Sequence, residues 1–254
     1  MTQKLSRKQE MLIHSLRQRH GRKDSDLCLC DGLRAGSEIL NLRPDLIELV
    51  VLRKGFEAKL EFPVEPVILE SGDFDRVATC VNSQGILVLA KRPAFVPLTA
   101  PVPDPFVLVL DRVGDPGNFG TILRTARAIG LQEVWLTKGG VDPFSDKVLR
   151  SASGAQFALN IRMADSIQSL LDGLHYNGID TIFRTLPAGG ENVFQVKDLF
   201  EKSAVVFGCE ATGVAEIDQS RSLHIPMPGT AESLNVAQAA TVILFEYVRR
   251  ITGN

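Results

Sequence analysis

Ile225–Asn235, IPMPGTAESLN, and the run VAQAATVILFEYVRR that continues it at 236–250 decide how this chain is read. An apolar, strand-like lead at Leu223–Ile225 breaks at a Pro/Gly turn, and a polar Glu-Ser-x-Asn segment opens a helix spanning about Leu234–Arg250. Polar groups gathered where a loop enters a helix, just beyond a strand, are what a ligand site in an α/β sheet needs. Two upstream segments have the same character: DRVGDPGNFGTILRTARAIG at 111–130 and VVFGCEATG at 205–213. Three such junctions predict an enzyme site built from strand ends.

Working outward, the second half alternates strand and helix. Strands are expected at Phe106–Leu110, Glu133–Leu136, Thr181–Arg184, Ala204–Phe207 and Leu223–Ile225, with helices at Asn118–Ile129 and Ser145–Ala152. Continuous apolar runs such as FVLVL and AVVFG predict a mostly parallel sheet covered by helices on both faces. The first half reads as a smaller α/β domain. An amphipathic helix at 5–20 carries Leu5, Gln9, Leu12 and Leu16 on one stripe, and short apolar strands follow at Leu27–Cys30, Ile47–Leu52, Val67–Leu69 and Gly85–Ala90. Between the halves, PAFVPLTAPVPDP at 93–105 has five prolines and no glycine. Missing N–H groups and fixed φ angles exclude a central strand or helix there and predict a semi-rigid linker. The expected domains are 1–95 and 106–254, joined by a linker at 96–105.

The 254 residues are 44% hydrophobic, enough for a substantial core, and no run approaches the roughly 18 apolar residues of a membrane span. The first residues lack the apolar block and cleavage site of a secretory signal, so a cytoplasmic protein is expected. Four cysteines make no disulfide framework at this length. Cys80 and Cys209 have no clustered His or Cys nearby in sequence, and no metal site is expected. Charge is near balance, 28 basic against 30 acidic residues, yet residues 1–23 carry Lys4, Arg7, Lys8, Arg17, Arg19, Arg22 and Lys23 against Glu10 alone. That net charge of +6 points to a polyanionic partner or to a solvated helix face.

Familiar nucleotide motifs fail. Gly208 and Gly213 have P-loop spacing, but Val214 and Ala215 stand where Lys and Ser/Thr are required. No dinucleotide loop and no nucleophile elbow is present, and His14, His20, His175 and His224 are scattered. Glycines, amides and arginines remain. Asn118 follows a Pro-Gly turn and can cap the next helix or reach a ligand. Arg124 shares a helix face with Arg127 and can grip a phosphate or lie on the surface. Glu210 sits beyond a strand end, as an ordinary turn acid or a functional one. Ser233 and Asn235 start the last helix or reach a substrate.

Together these segments resemble the SpoU/TrmH family, the 2′-O-ribose RNA methyltransferases of the SPOUT class. Its signatures match PGNFGTILRTARAIG at 116–130, VVFGCEATGV at 205–214 and IPMPGTAESLNVAQAATVILFEYVRR at 225–250, while KVLRSASGAQF at 147–157 is similar to its Arg-x-Ser-x-Gly-Ala segment. More weakly, GRKDSDLCLCDG at 21–32 looks like the start of the family's RNA substrate-binding domain, ribosomal-protein-like in fold, with Asp31 where Glu is usual. The resemblance implies a trefoil-knotted C-terminal domain, a homodimer, and S-adenosylmethionine held by backbone around Phe207, Gly208, Ile225, Pro226, Met227 and Leu234. It implies functional roles for Asn118, Arg124, Glu210, Ser233 and Asn235, and RNA, above all 23S-type ribosomal RNA, as substrate. A tRNA substrate, methylation of a guanine base, and a non-catalytic RNA-binding or ribosome-assembly role are the alternatives. The family proposal that Arg124 is the base conflicts with the poor proton-accepting character of a guanidinium near neutral pH. Holding a phosphate and stabilising the alkoxide suits that side chain better.

Overall fold

A computed structural model describes residues 4–253. In chain order the elements are α1 (Arg7–Arg17), α2 (Arg19–Lys23), β1 (Leu27–Asp31), α3 (Leu33–Leu42), β2 (Ile47–Arg53), β3 (Val67–Leu69), α4 (Ser71–Val77) and β4 (Ile86–Lys91). They continue with β5 (Phe106–Leu110), α5 (Pro116–Ala128), β6 (Glu133–Thr137), α6 (Asp146–Ser151), β7 (Asn160–Ala164), α7 (Ile167–Tyr176), β8 (Thr181–Thr185), β9 (Glu191–Asn192), β10 (Ser203–Phe207), β11 (Arg221–His224) and α8 (Val236–Thr252). The chain folds as two compact units, one of residues up to Pro93 with Asp142–Ala158, the other of Ala94–Val141 with the chain from Leu159 on. Among the described residues no helix is long and apolar enough to cross a membrane.

The first unit holds a four-stranded sheet in the order β1-β4-β2-β3, antiparallel at β1–β4 and β4–β2 and parallel at β2–β3. Alternation along the strands sends Leu29, Leu49, Val51, Leu87 and Leu89 to one face, where they pack with Ile13 and Leu16 of α1 and Phe74 and Val77 of α4. The expected single helix over 5–20 breaks at Gln18, which is extended, and Ser6 closes a capping box with Gln9 at the start of α1. That duty takes Gln9 off the apolar stripe, and Leu5, Ile13 and Leu16 are buried instead. Of the seven basic residues near the start, Arg22 alone is buried, with Nε 2.7 Å from Asp142 Oδ2. Residues 142–158 belong to this unit by their packing. Arg150 of α6 donates to Thr79 Oγ1 at 2.9 Å and Asp146 Oδ2 at 3.0 Å, and a Cβ on Gly154 would lie 3.2 Å from the Ala35 carbonyl oxygen. Asp31 is buried and accepts from the Thr79 and Cys80 amides at 2.8 and 3.2 Å and from the Ser83 hydroxyl.

The second unit is built on a seven-stranded, wholly parallel sheet in the order β7-β6-β5-β10-β8-β11-β9. Val107, Val109, Ala204 and Val206 meet Leu170 and Leu174 of α7 on one face, while α5 and α8 contact each other and Tyr247 of α8 lies 5.1 Å from Phe106. Strand β7, helix α7 and the two-residue β9 are elements that the apolar runs do not announce, because NIRMA and EN alternate polar residues. The proline-rich segment is fixed rather than free-standing. Buried Arg162 donates to the carbonyls of Pro97, Ala100 and Pro101 at 2.9, 2.6 and 2.8 Å, and Leu98 and Val102 pack against the core. Glu133 neutralises this arginine at 2.7 Å, and Trp135 lies under its guanidinium.

Candidate active site at the carboxyl edge of the parallel sheet

Strands β5, β10, β8 and β11 are consecutive neighbours in one parallel sheet, so their carboxyl ends share an edge. The chain runs β5-β6-β7 to one side and then crosses back to β8 and β10 on the other side of β5. Such a switch in direction opens a crevice beyond the strand ends. Each sequence junction lies there: 111–118 after β5, 208–214 after β10, and 225–235 between β11 and α8.

A polar relay ties the three together. Glu210 accepts from the Gly114 amide at 3.2 Å, the Asp115 amide at 3.3 Å and Asn118 Nδ2 at 2.9 Å. Asn118 Oδ1 accepts from Asn235 Nδ2 at 2.9 Å, and Asn235 Oδ1 caps α8 by accepting from the Ala237 and Gln238 amides. Asp115 caps α5 through the Asn118 amide at 2.7 Å. Desolvation opposes ionisation of Glu210, but the donors from Asn118, Gly114 and Asp115 outweigh it and hold its carboxyl below the usual range. The relay therefore runs from a carboxylate through two amides into the amino end of a helix.

Beside it lies a cavity of about 540 Å³. Thr185–Pro187 at the end of β8, Phe207–Val214 at the end of β10, Ile225 and Met227 after β11, and Ser233–Val236 at the entry to α8 line it. Gly208 in the lining packs against the turn that follows it: a Cβ there would lie 2.2 Å from Gly213 C and 2.3 Å from Val214 N. Only glycine permits that approach of one main-chain segment to another. A volume of this size, lined by both apolar and polar side chains, suits a small-molecule site.

Residues 105–245 match the SpoU rRNA Methylase family. The chain belongs to that family. It is 37% identical over 179 residues to an uncharacterized tRNA/rRNA methyltransferase of Synechocystis, covering 69% of this chain and 64% of that relative's length. It is 34% identical over 189 residues to the 23S rRNA (guanosine(2553)-2′-O)-methyltransferase RlmP of Bacillus subtilis, with 73% of each chain covered. The AdoMet-bound rRNA methyltransferase of Sinorhizobium meliloti superposes with a TM-score of 0.81 at 25% identity, covering 99% of this chain and 97% of the other.

Phe207, Gly208, Ile225, Met227 and Leu234 line the cavity, as do Glu210, Ser233 and Asn235. Pro226 does not; it faces an adjoining recess with His224 and Glu232. Asn118 reaches the lining only through Glu210 and Asn235. Arg124 is exposed on α5 and makes no hydrogen bond or ion pair among the described residues, so neither Glu210 nor Asn118 holds it. The lining residues that sequence reading passed over include Thr185, Leu186 and Pro187. Their one signal was position, directly after an expected strand; their composition carried none. No cluster of three or more metal-ligating side chains occurs among the described residues.

Proposed function

We propose that this chain transfers a methyl group from S-adenosylmethionine to a ribose 2′-hydroxyl of RNA, with 23S-type ribosomal RNA as substrate. The observation that carries the proposal is the Glu210–Asn118–Asn235 relay beside the cavity that Glu210 and Asn235 line. The Bacillus relative is named for this reaction on 23S rRNA, and the Sinorhizobium structure contains the cofactor. The cavity fits that cofactor: Leu186, Ile225, Met227 and Leu234 offer an apolar surface to an adenine ring, and Glu210, Ser233 and Asn235 in the lining offer polar groups. Bound there, S-adenosylmethionine supplies a sulfonium-activated methyl group. Glu210 and Asn118 set the loop at 111–118, and Asn235 sets the start of α8, so that Ser233 faces the reacting ribose. Arg124, permanently charged and unpaired, holds the phosphate next to that ribose and stabilises the developing alkoxide. The 2′-hydroxyl proton passes to this phosphate rather than to the guanidinium.

The first unit binds the RNA. Exposed Lys4, Arg7, Lys8, Arg17, Arg19 and Lys23 contact backbone, which gives affinity without base sequence. The boundary at the proline-rich segment, the trefoil knot, homodimerisation and a cytoplasmic location complete the reading. Half-exposed Phe245 on α8 supports a dimer face, because a large apolar side chain is left in solvent there. The deciding experiment is transfer of labelled methyl from S-adenosylmethionine to unmodified total RNA, fractionated by size and digested to nucleosides. A 2′-O-methyl nucleoside in large ribosomal RNA, lost in Arg124→Ala, is expected. Label on a guanine base or confined to tRNA would replace the substrate assignment. No transfer together with no cofactor binding would leave a non-catalytic RNA-binding protein.

A further inference from the structure

Arg112, the second residue beyond β5, has φ of 52°, in the left-handed region that favours glycine. A bulky side chain is kept there by a structure built around it. Asp111, buried behind it, receives Nε at 3.2 Å and Nη2 at 3.0 Å, and Asp111 is itself fixed by the Thr137 hydroxyl at 2.6 Å. The Arg112 amide donates to the same hydroxyl at 3.1 Å. On the other side two glycines clear the space: a Cβ on Gly139 would lie 3.2 Å from Arg112 Cγ, and one on Gly140 would lie 2.7 Å from the Val113 carbonyl oxygen. The guanidinium is thus immobilised while its side chain stays 43% exposed, and Nη1 has no partner among the described residues. It stands two residues before the Gly114 and Asp115 amides that Glu210 gathers at the site.

We infer that Arg112 is a second anchor for the RNA substrate, a pre-oriented fork that binds a backbone phosphate beside the reacting nucleotide. The inference rests on the RNA-methylating reading above. An arginine needed only to neutralise Asp111 would not require a left-handed backbone, two glycines and an outward-facing Nη1. Strain held in place by its surroundings beside a reaction site is characteristic of pre-organisation. The remaining N–H groups suit a phosphate, which accepts from a planar fork.

Two variants separate this role from a structural one. Arg112→Gln keeps donors toward Asp111 without the charge, and Arg112→Gly removes the side chain where the backbone best accepts glycine. Affinity for in vitro transcribed large-subunit ribosomal RNA is measured from about 50 to about 200 mM salt, with cofactor affinity measured separately. Loss of one phosphate contact lowers the slope of log K against log[salt] by about 0.7 to 0.9 in magnitude. Both variants should show that change, with a raised KM for RNA and unchanged cofactor affinity and kcat. An unaltered slope in both variants overturns the inference, even if melting temperature falls. A selective loss of cofactor affinity also overturns it and assigns Arg112 to the cofactor carboxylate. A wild-type protein that binds cofactor but shows no affinity for this RNA overturns both this inference and the substrate reading, whereas wild-type binding with unchanged variant slopes overturns this inference alone.

Discussion

Glu210 carries more of the site than its place in an exposed turn suggests. Its carboxylate collects two loop amides and Asn118, and Asn118 passes the constraint to Asn235 at the head of α8. Its folded-state pKa lies below the ordinary value, so its contribution is complete above the usual glutamate range near ~4.3 and is lost as pH falls through the lowered value. Cofactor affinity should therefore be insensitive to this group from neutral pH down to about 5, and Glu210→Gln should weaken it roughly tenfold by removing charge-assisted acceptors. Calorimetric titration of both proteins across that range tests this; equal affinities would separate the relay from the cavity. At Arg124 the expectation concerns chemistry. Arg124→Lys keeps the charge and loses the planar fork, so kcat should fall by about two orders of magnitude with little change in cofactor affinity. Near-wild-type turnover in single-turnover assays would remove the requirement for a guanidinium. Asn118, Glu210 and Asn235 were legible as polar residues at junctions. Their mutual hydrogen bonds were not, because 92 and 117 residues separate the bonded pairs.

Helices and strands here are held by buried arginines as well as by apolar contact. Arg162 joins β7 to the proline-rich segment and is charge-balanced by Glu133, which burial pushes up against the hydrogen bonds of Trp135 and Arg162. Arg162→Leu should cost about 3 to 5 kcal/mol by leaving Glu133 buried and unpaired, and adding Glu133→Leu should recover much of it. Chemical denaturation of the two variants measures both steps. In α8, hydrogen bonds from Arg249, then Arg250, outweigh desolvation and lower the Glu246 pKa to about 2, while Arg250 also reaches the Val196 and Val193 carbonyls at 2.6 and 3.0 Å. Stability from this group is present above its ordinary pKa of 4.5 and lost as pH drops toward 2. Glu246→Gln should flatten the acid limb of the melting-temperature profile across that window. The long last helix was readable from its apolar run. The fixing of the proline-rich segment was not, since prolines report only which hydrogen bonds a chain lacks and the donor lies some sixty residues on.

Across the whole molecule, the chain leaves the second unit after Val141, contributes Asp142–Ala158 to the first, and returns at Leu159. A fragment ending at the proline-rich segment would lack α6, the partner of β1, and the Asp142 carboxylate that pairs with buried Arg22. Residues 1–93 alone should therefore be poorly protected in amide exchange, and a fragment fused through a short linker to 142–158 should regain protection. Equal exchange in both would show that the first unit is self-sufficient.

Periodicity, turn chemistry and three motifs determined the α/β class, five of the seven strands of the parallel sheet and the polar residues Asn118, Glu210, Ser233 and Asn235 at its junctions. Those features are written locally, in residues a few positions apart, where side-chain alternation and capping act. Tertiary structure alone decided that β10 inserts between β5 and β8, which brings 111–118, 208–214 and 225–235 to one edge. It also decided that Thr185–Pro187 complete the cavity and that 142–158 pack with the first unit. Strand order is set by which apolar faces bury each other across the whole chain, and that choice leaves no short-range pattern.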